Sequence, residues 1–446
     1  MNPAEREAKL LEVGGDLVRS STADETEIVI SEGTDLLTRF SRNQIHQNVG
    51  TEEVWAAVRV VTGKRIGVAT ASSLRPEALR GALDEAVAIA KARGPTDDWP
   101  GLPPPRPVQK IAAYDAATAE ASADARADLA GEIIAAARAK KAEAAGAVEI
   151  EESTLAVVSS AGVAAAHSQT RAQAHTVVTC EDGSGYAEGL STRMEDVAGR
   201  AIGRRAAAKA AASRRPRALS PGRYDVILEP PAVGEWLEYL SYIGFSGKNF
   251  EEGRSPLSGK LGQRITGPDV TIWDNALSPR TIPQALDYEG MPKERLTFIA
   301  CGVAKAVGTS YYRARRLKKR RSSGSALPAS VSYECLPLHL FLKGGTSSTE
   351  RLLKDTKRGL LVTRFHYTNI LDPLKTILTG MTRDGTFLVE NGEVVGPVRN
   401  LRYTENVLEA LGRIDGLSRR LALVRGPMVV PTVRIRDVQF TGTTEF

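Results

Sequence analysis

Arg364, His366, Tyr367 and Asn369 crowd into the run GLLVTRFHYTN. A guanidinium, an imidazole, a phenol and an amide together could grip a carboxylate or the carbonyls of a peptide. In strand alternation Arg364, His366 and Thr368 share one face, and Phe365 and Tyr367 share the other. Two readings stay open: a substrate-contacting face, and a polar strand face open to solvent. A second group lies upstream. Val226–Leu228 reads as a strand, and Pro230-Pro231 breaks it and opens a helix over 232–243. Val233, Trp236, Leu237, Leu240 and Ile243 make that helix apolar on one face, while Glu238 and Tyr239 bring polar groups. A lone carboxylate is a poor transition-metal site, so Glu238 by itself reads as a solvated helix residue.

The other polar residues read as structural. Asp372 precedes Pro373 and suits a turn, and Arg383-Asp384-Gly385 reads as another. His46 sits in a polar stretch, RNQIHQN, that suits structural pairing. His167, His175 and His339 stand alone, without metal-ligand spacing. Gly183-Ser184-Gly185 lacks the strand–turn–helix setting of a dinucleotide loop and reads as a turn. Neither a G-x-S-x-G elbow nor a G-x-x-x-x-G-K-[ST] loop occurs.

The chain has 446 residues, 42% apolar and 25% charged, enough for two or three domains with substantial cores. It has no apolar run long enough for a membrane span and no secretory pattern at its start. Cys180, Cys301 and Cys335 are widely spaced and suit buried thiols in a reducing cytosol. The net charge of +6 owes much to Arg313–Arg321, RARRLKKRR. That run reads as an exposed loop rather than a phosphate-binding patch, since Ser322-Ser323-Gly324-Ser325 follows it and aromatics are limited to Tyr311 and Tyr312.

The elements that must position these residues fall into two parts. Residues 1–215 show a weak duplication of a strand meander followed by an alanine-rich helix. Strands are expected at Glu27–Ser31, Asp35–Phe40, Ala56–Val61 and Ile66–Ala69, then a helix at Pro76–Arg93. The second copy has Val148–Glu151, Leu155–Val158 and His175–Cys180, then a helix at Met194–Ser213, with a further helix at Ala123–Ala142 ahead of it. Residues 94–109 hold six prolines and form an extended connector. Beyond the basic, small-residue stretch 211–220, residues 216–446 are rich in strands. There Asn391-Gly392 marks a hairpin, and the shift from Val433/Ile435 to Val438/Phe440 marks a bulge. Further helices are expected at Thr349–Lys357 and Thr404–Leu411. The fold class is α+β: an N-terminal duplicated strand-meander/helix domain, then a large, mostly antiparallel β-rich C-terminal domain.

Several segments in order resemble the TldD/PmbA protease family. Leu257-Ser258-Gly259-Lys260-Leu261-Gly262-Gln263-Arg264 is similar to its F-S-G-R-x-G-E-R-like loop, and Arg39-Phe40-Ser41 with Asn43–Asn48 to its R-F-x-N-x-x-I-x-Q stretch. Gly63–Gly67 resembles the G-x-R-x-G hairpin, and Glu390–Val398 the I-E-N-G-x-x-x-x-P-V hairpin. Gly359–Asn369 is similar to the segment lining the cavity near the metal. In zinc-bearing members the helix ahead of the loop carries HExxxH. Here the resemblance puts Glu238 and Ile243 at the two histidines and Tyr239 at the glutamate. The remaining ligand, a cysteine before the last strand, falls in LALVRGPMVV (421–430), which has no cysteine.

The resemblance therefore implies a metal-free, TldE- or PmbA-type member with no catalytic residue and no zinc of its own. Its implied partner is a zinc-bearing TldD-like subunit, forming a hollow cytoplasmic heterodimer that cleaves unfolded or modified peptides. Arg364, His366, Tyr367 and Asn369 would line the shared cavity. A homodimer stays open, and neither nucleic acid nor membrane is an expected partner. Two other functions are kept: a stand-alone enzyme using Arg364, His366 and Glu238 in a repurposed cavity, and a regulator binding nucleic acid or a topoisomerase through the basic run.

Overall fold

The computed structural model describes residues 2–332 and 334–443. Its first half runs α1 (Pro3–Ser20), β1 (Glu25–Ser41), β2 (Gln44–Thr62), β3 (Arg65–Ala71) and α2 (Pro76–Ala92). There follow α3 (Ala116–Ala119), α4 (Ala123–Arg138), β4 (Glu143–Ser159), β5 (Ala164–Cys180), β6 (Gly183–Ser191) and α5 (Gly199–Ala212). The strands form one six-stranded sheet in the order β3-β2-β1-β4-β5-β6. All its pairings are antiparallel.

Each copy is a three-stranded meander with a helix before and a helix after it, and the copies join at β1 and β4. One sheet face is apolar through Ile28, Ile30, Val58 and Val60 in one copy and Val148 and Ile150 in the other. α1 and α2 cover the first copy, α4 and α5 the second. The copies share a packing device. A Cβ on Gly67 of β3 would lie 1.9 Å from the Ala86 carbonyl of α2, and one on Gly185 of β6 would lie 2.2 Å from that of Ala206 in α5. Glycine at both sites lets strand and helix backbones touch.

Two expectations change here. The paired short strands at 27–31 and 35–40, and at 148–151 and 155–158, are each one long strand. The sheet's other face is polar around Ser31, Asp35 and Glu151, which hides the alternation. Gly183-Ser184-Gly185 is not a turn but the start of β6, the turn being Glu181-Asp182. α1 is an element that the sequence reading did not include, and its Gly14 packs against Val158.

The second half begins with β7 (Gly222–Leu228) and α6 (Pro230–Leu240), which continues into a wide π-type turn at Ser241–Phe245. Next come α7 (Gly247–Glu251), β8 (Ile272–Asp274), β9 (Leu296–Ala300), β10 (Val303–Ala304), α8 (Tyr311–Arg316), β11 (Leu340–Leu342) and α9 (Thr349–Lys354). The chain closes with β12 (Arg358–Asp372), β13 (Ile377–Glu390), β14 (Glu393–Pro397), β15 (Leu401–Asn406), α10 (Val407–Gly412), β16 (Ile414–Val424) and β17 (Met428–Thr443). Eleven strands make one sheet, antiparallel except where β7 meets β12 and β11 meets β17.

α6 packs its apolar face on this sheet. Trp236 stacks on Phe365 at 5.3 Å, and Phe365 meets Tyr403 at 4.4 Å. The two halves dock where Val29, Ala57, Leu155 and Val157 bury Leu286 and Met291. The proline-rich connector helps fasten them, with Trp99 stacked on Tyr312 at 5.9 Å and bonded to Glu25.

Further corrections concern polar segments. Arg383-Asp384-Gly385 is not a turn; it lies inside β13, where positive φ at Asp384 and Gly385 accompanies a register shift. The basic run is not an exposed loop at its start. Arg313 in α8 is buried between Glu251 and Glu334, and Arg316 pairs with Asp98 and Glu251. Cys180 and Cys335 are buried free thiols, whereas Cys301 is exposed.

Candidate functional site

Glu235, Glu238 and Tyr239 project from α6, and the three-residue turn between β16 and β17 brings Arg425 onto them. Arg425 and Gly426 both adopt positive φ, which folds the turn tightly. Gly234 lets it come close, since a Cβ there would lie 2.8 Å from Val424 Cγ2 and 3.4 Å from Arg425 Cδ. The guanidinium donates from Nε (2.9 Å) and Nη2 (2.6 Å) to Glu238 Oε2 and from Nη1 (3.1 Å) to Glu235 Oε2. The side-on grip on Glu238 is a strong, charge-assisted contact.

Glu235 is the buried member. Thr368 donates its hydroxyl to Glu235 Oε1, and Tyr403 bonds that same hydroxyl at 2.9 Å. Burial pushes the Glu235 carboxyl up, while Arg425 and Thr368 pull it back. The Tyr239 hydroxyl donates to the Thr368 carbonyl and is itself raised by burial and by the neighbouring Glu235 and Glu238. It stays protonated, with its proton engaged. Glu188 of β6 approaches from the N-terminal half, its carboxyl raised by burial and held in check by the backbone and charge of Arg425.

Glu238, Tyr239 and Arg425 open onto a pocket of about 580 Å³, completed by Ile243, Ile370 and Pro373 among others. The segments that the resemblance assigned to metal binding, 238–243 and 421–430, therefore meet in space. Their side chains do not suit a metal. Among the described residues no three or more His, Cys, Asp or Glu side chains converge to hold one. Arg425 already directs its positive charge at the two carboxylates, so the site offers hydrogen bonding and charge rather than an activated water.

The four residues expected to line a cavity do not act together. A bulge at Tyr367, with φ of +53°, breaks the strand alternation. Thr368 consequently turns inward with Phe365 and not outward with Arg364 and His366. Arg364 is committed to Asp384 and lies over the Tyr186 ring at 4.4 Å. His366 is half-buried, and burial together with Arg364 and Arg383 lowers its imidazole. Tyr367 is 70% exposed at the hairpin, and Asn369 is exposed and donates to the Tyr367 carbonyl at 3.0 Å. Residues that the sequence reading missed are Arg425, Glu235 and Tyr403, and it placed Thr368 on the wrong face. One signal was present: Arg425 is the single charge in LALVRGPMVV.

The isolated histidines follow their surroundings. His167 and His339 are buried and lowered by desolvation. Cross-strand from Glu151, Asp35 lines a smaller cavity of about 200 Å³ on the polar face of the first sheet. Burial, then Glu151 and Glu53, raise its carboxyl.

Comparison with known proteins accounts for this architecture. A structure described as TldE from Thermococcus kodakarensis superposes with a TM-score of 0.88 at 22% identity, covering 98% of this chain and 99% of that one. A protein named metalloprotease from Methanothermobacter thermautotrophicus is 26% identical over 66% of this chain and 68% of its own length. A metalloprotease TldD homolog from Buchnera aphidicola is 22% identical over 46% of this chain and 42% of its own. No helix among the described residues is long and apolar enough to cross a membrane. The three PmbA/TldA metallopeptidase domain models match in order, domain 1 at residues 26–90, the central domain at 117–214 and the C-terminal domain at 221–442. The chain belongs to the PmbA/TldD metallopeptidase family.

Proposed function

We propose that this chain is a metal-free, TldE-like subunit that pairs in the cytosol with a zinc-bearing TldD-like chain, and that the pair cleaves unfolded or modified peptides in a shared cavity. The observation that carries this reading is Arg425. Where zinc-bearing members would gather ligands, a guanidinium bonds Glu235 and Glu238 at 2.6–3.1 Å, and Ile243 offers no donor. Hydrolysis at zinc needs about three protein ligands and an open position for water, so the zinc chemistry would come from the partner. This chain would supply a wall and hydrogen-bonding groups. Of the seven cations in the basic run, Arg313 and Arg316 are taken up by acids of the same chain, which weakens the nucleic-acid alternative.

Co-expression with an HExxxH-bearing homologue tests the proposal, with zinc content and peptidase activity measured for each chain alone and for the complex. Zinc and cleavage in the co-purified complex, with neither in this chain alone, is the expected outcome. Zinc or turnover in the isolated chain would overturn it.

A further inference from the structure

Another cavity, of about 310 Å³, lies between the two halves and shares no lining residue with the pocket beside Arg425. One wall comes from the first half: Ile66 and Val68 of β3, with Trp99 of the connector. The other comes from the second: Tyr312 of α8, with Leu327 and Val331 from the loop after it. The stack of Trp99 on Tyr312 joins the two walls. Five charged side chains also line the space: Arg59, Arg93, Lys248, Glu289 and Glu334. Both acids have donors on both oxygens. Glu289 accepts from Arg59 and from the Tyr311 N–H, and Glu334 accepts from Ser310 and Arg313. The cations are less well served. Lys248 donates to the Ser332 carbonyl at 2.6 Å, and no ion pair among the described residues includes Lys248 or Arg93. The hydrogen bonds of Arg59 to Glu27 and Glu289 both leave from Nη2, and its Nε is buried with no partner.

We propose that this cavity binds a small carboxylic acid with an aromatic or branched aliphatic body. Lys248 and Arg93 hold its carboxylate, and its body lies between β3 and the loop that carries Leu327 and Val331. The polar lining sets the sign of the guest. Acids whose oxygens are already occupied give an ammonium ligand no acceptor, whereas cations without counter-charges offer a carboxylate charge-assisted bonds. The apolar walls set its body, since a small inorganic anion would leave them uncovered. The volume stands at the lower end of small-molecule sites, which also gather at domain interfaces. Because each half contributes a wall, the guest adds to their docking and stabilises the folded chain. Neither zinc nor a partner subunit enters this proposal, so it goes beyond the function proposed above and does not depend on it.

The test uses the full chain and 3-phenylpropionate, with binding followed by calorimetry. The neutral amide of the same acid is the second probe, and acetyl-Ala-Ala-Phe with a free carboxylate is the third. Saturable one-to-one binding of the acid is expected, with the amide about ten-fold weaker. Lys248→Gln combined with Arg93→Gln should weaken the acid about ten-fold and leave the amide unchanged. Arg93 is exposed and Lys248 half-buried, so the double variant should fold, as an unchanged urea midpoint without probe would verify. The acid should also raise the thermal midpoint of the wild type, and raise that of the double variant less at the same concentration. No binding of the acid, equal binding of acid and amide, or unchanged binding in the double variant overturns the proposal. Tighter binding of acetyl-Ala-Ala-Phe than of the acid also overturns it, by making this a site for a chain terminus.

Discussion

Two Glu–Arg–Glu clusters in this molecule use the same chemistry in different settings. Arg59 bonds Glu27 at 2.7 Å and Glu289 at 3.3 Å, where the first sheet meets the second half. Glu27 and Glu289 have side chains only 2% and 5% exposed, and Glu289 also accepts the Tyr311 N–H. Arg425 holds Glu235 and Glu238 in the same way, but Arg425 is 32% exposed and Glu238 28%. The first cluster buries both carboxylates, and only its rim, at Arg59 and Glu289, borders a cavity of about 310 Å³. The open cluster has a pocket on one side. Burial of both carboxylates turns the first into an interdomain fastener, while the second keeps Glu238 and Arg425 within reach of solvent.

Replacing Arg59 with Met should separate the two clusters most sharply. It strands two buried carboxylates and should cost about 4 kcal/mol, read as a fall in the urea midpoint. Arg425→Met should cost about 2 kcal/mol, because solvent reaches Glu238 and only Glu235 is left buried. Equal losses would show that exposure does not distinguish the clusters.

The pH response is the next test. Burial outweighs Arg59 and pushes the Glu27 carboxyl up to about 7. Unfolded, it titrates near about 4.3. The folded state therefore keeps a proton that the unfolded chain releases, and Glu27 loses stability as pH rises from about 5 to about 7. The stability difference between wild type and Glu27→Gln should shift against wild type across that window, in urea titrations at several pH values. A difference that stays flat would mean that Glu27 is ionised throughout. The smallest effect belongs to the exposed residues of the basic run. Arg315, Lys318 and Arg320 changed singly to Ala should each move stability by no more than about 0.5 kcal/mol. Arg313→Ala should exceed that clearly, since it breaks two ion pairs around a buried guanidinium.

Local signals carried well. The Asn391-Gly392 hairpin forms with both residues at positive φ. The phase change after Ile435 is a register shift against β7, with Asp437 at +58°. Each is written in neighbouring residues: turn chemistry in one, periodicity in the other. The bulges at Tyr367 and Asp384 carry no comparable mark, because RFHYTN alternates as a regular strand would and RDG spells a turn. Their conformations answer to what the sheet packs against, with Phe365 fixed by Trp236 and Asp384 by Arg364.

By itself the sequence determined the two-part α+β order, the repeated meander and helix, the family resemblance and the loss of histidines at the motif positions. Those properties follow from periodicity, turn residues and spacing within a few dozen residues. Only the tertiary structure decided that Arg425 meets Glu235 and Glu238, 190 and 187 residues away. It also decided that the bulge at Tyr367 turns Thr368 toward them. A lone arginine in an apolar run announces that it needs a partner. Which carboxylate answers, and whether the pair is sealed or open, depends on the packing of distant elements.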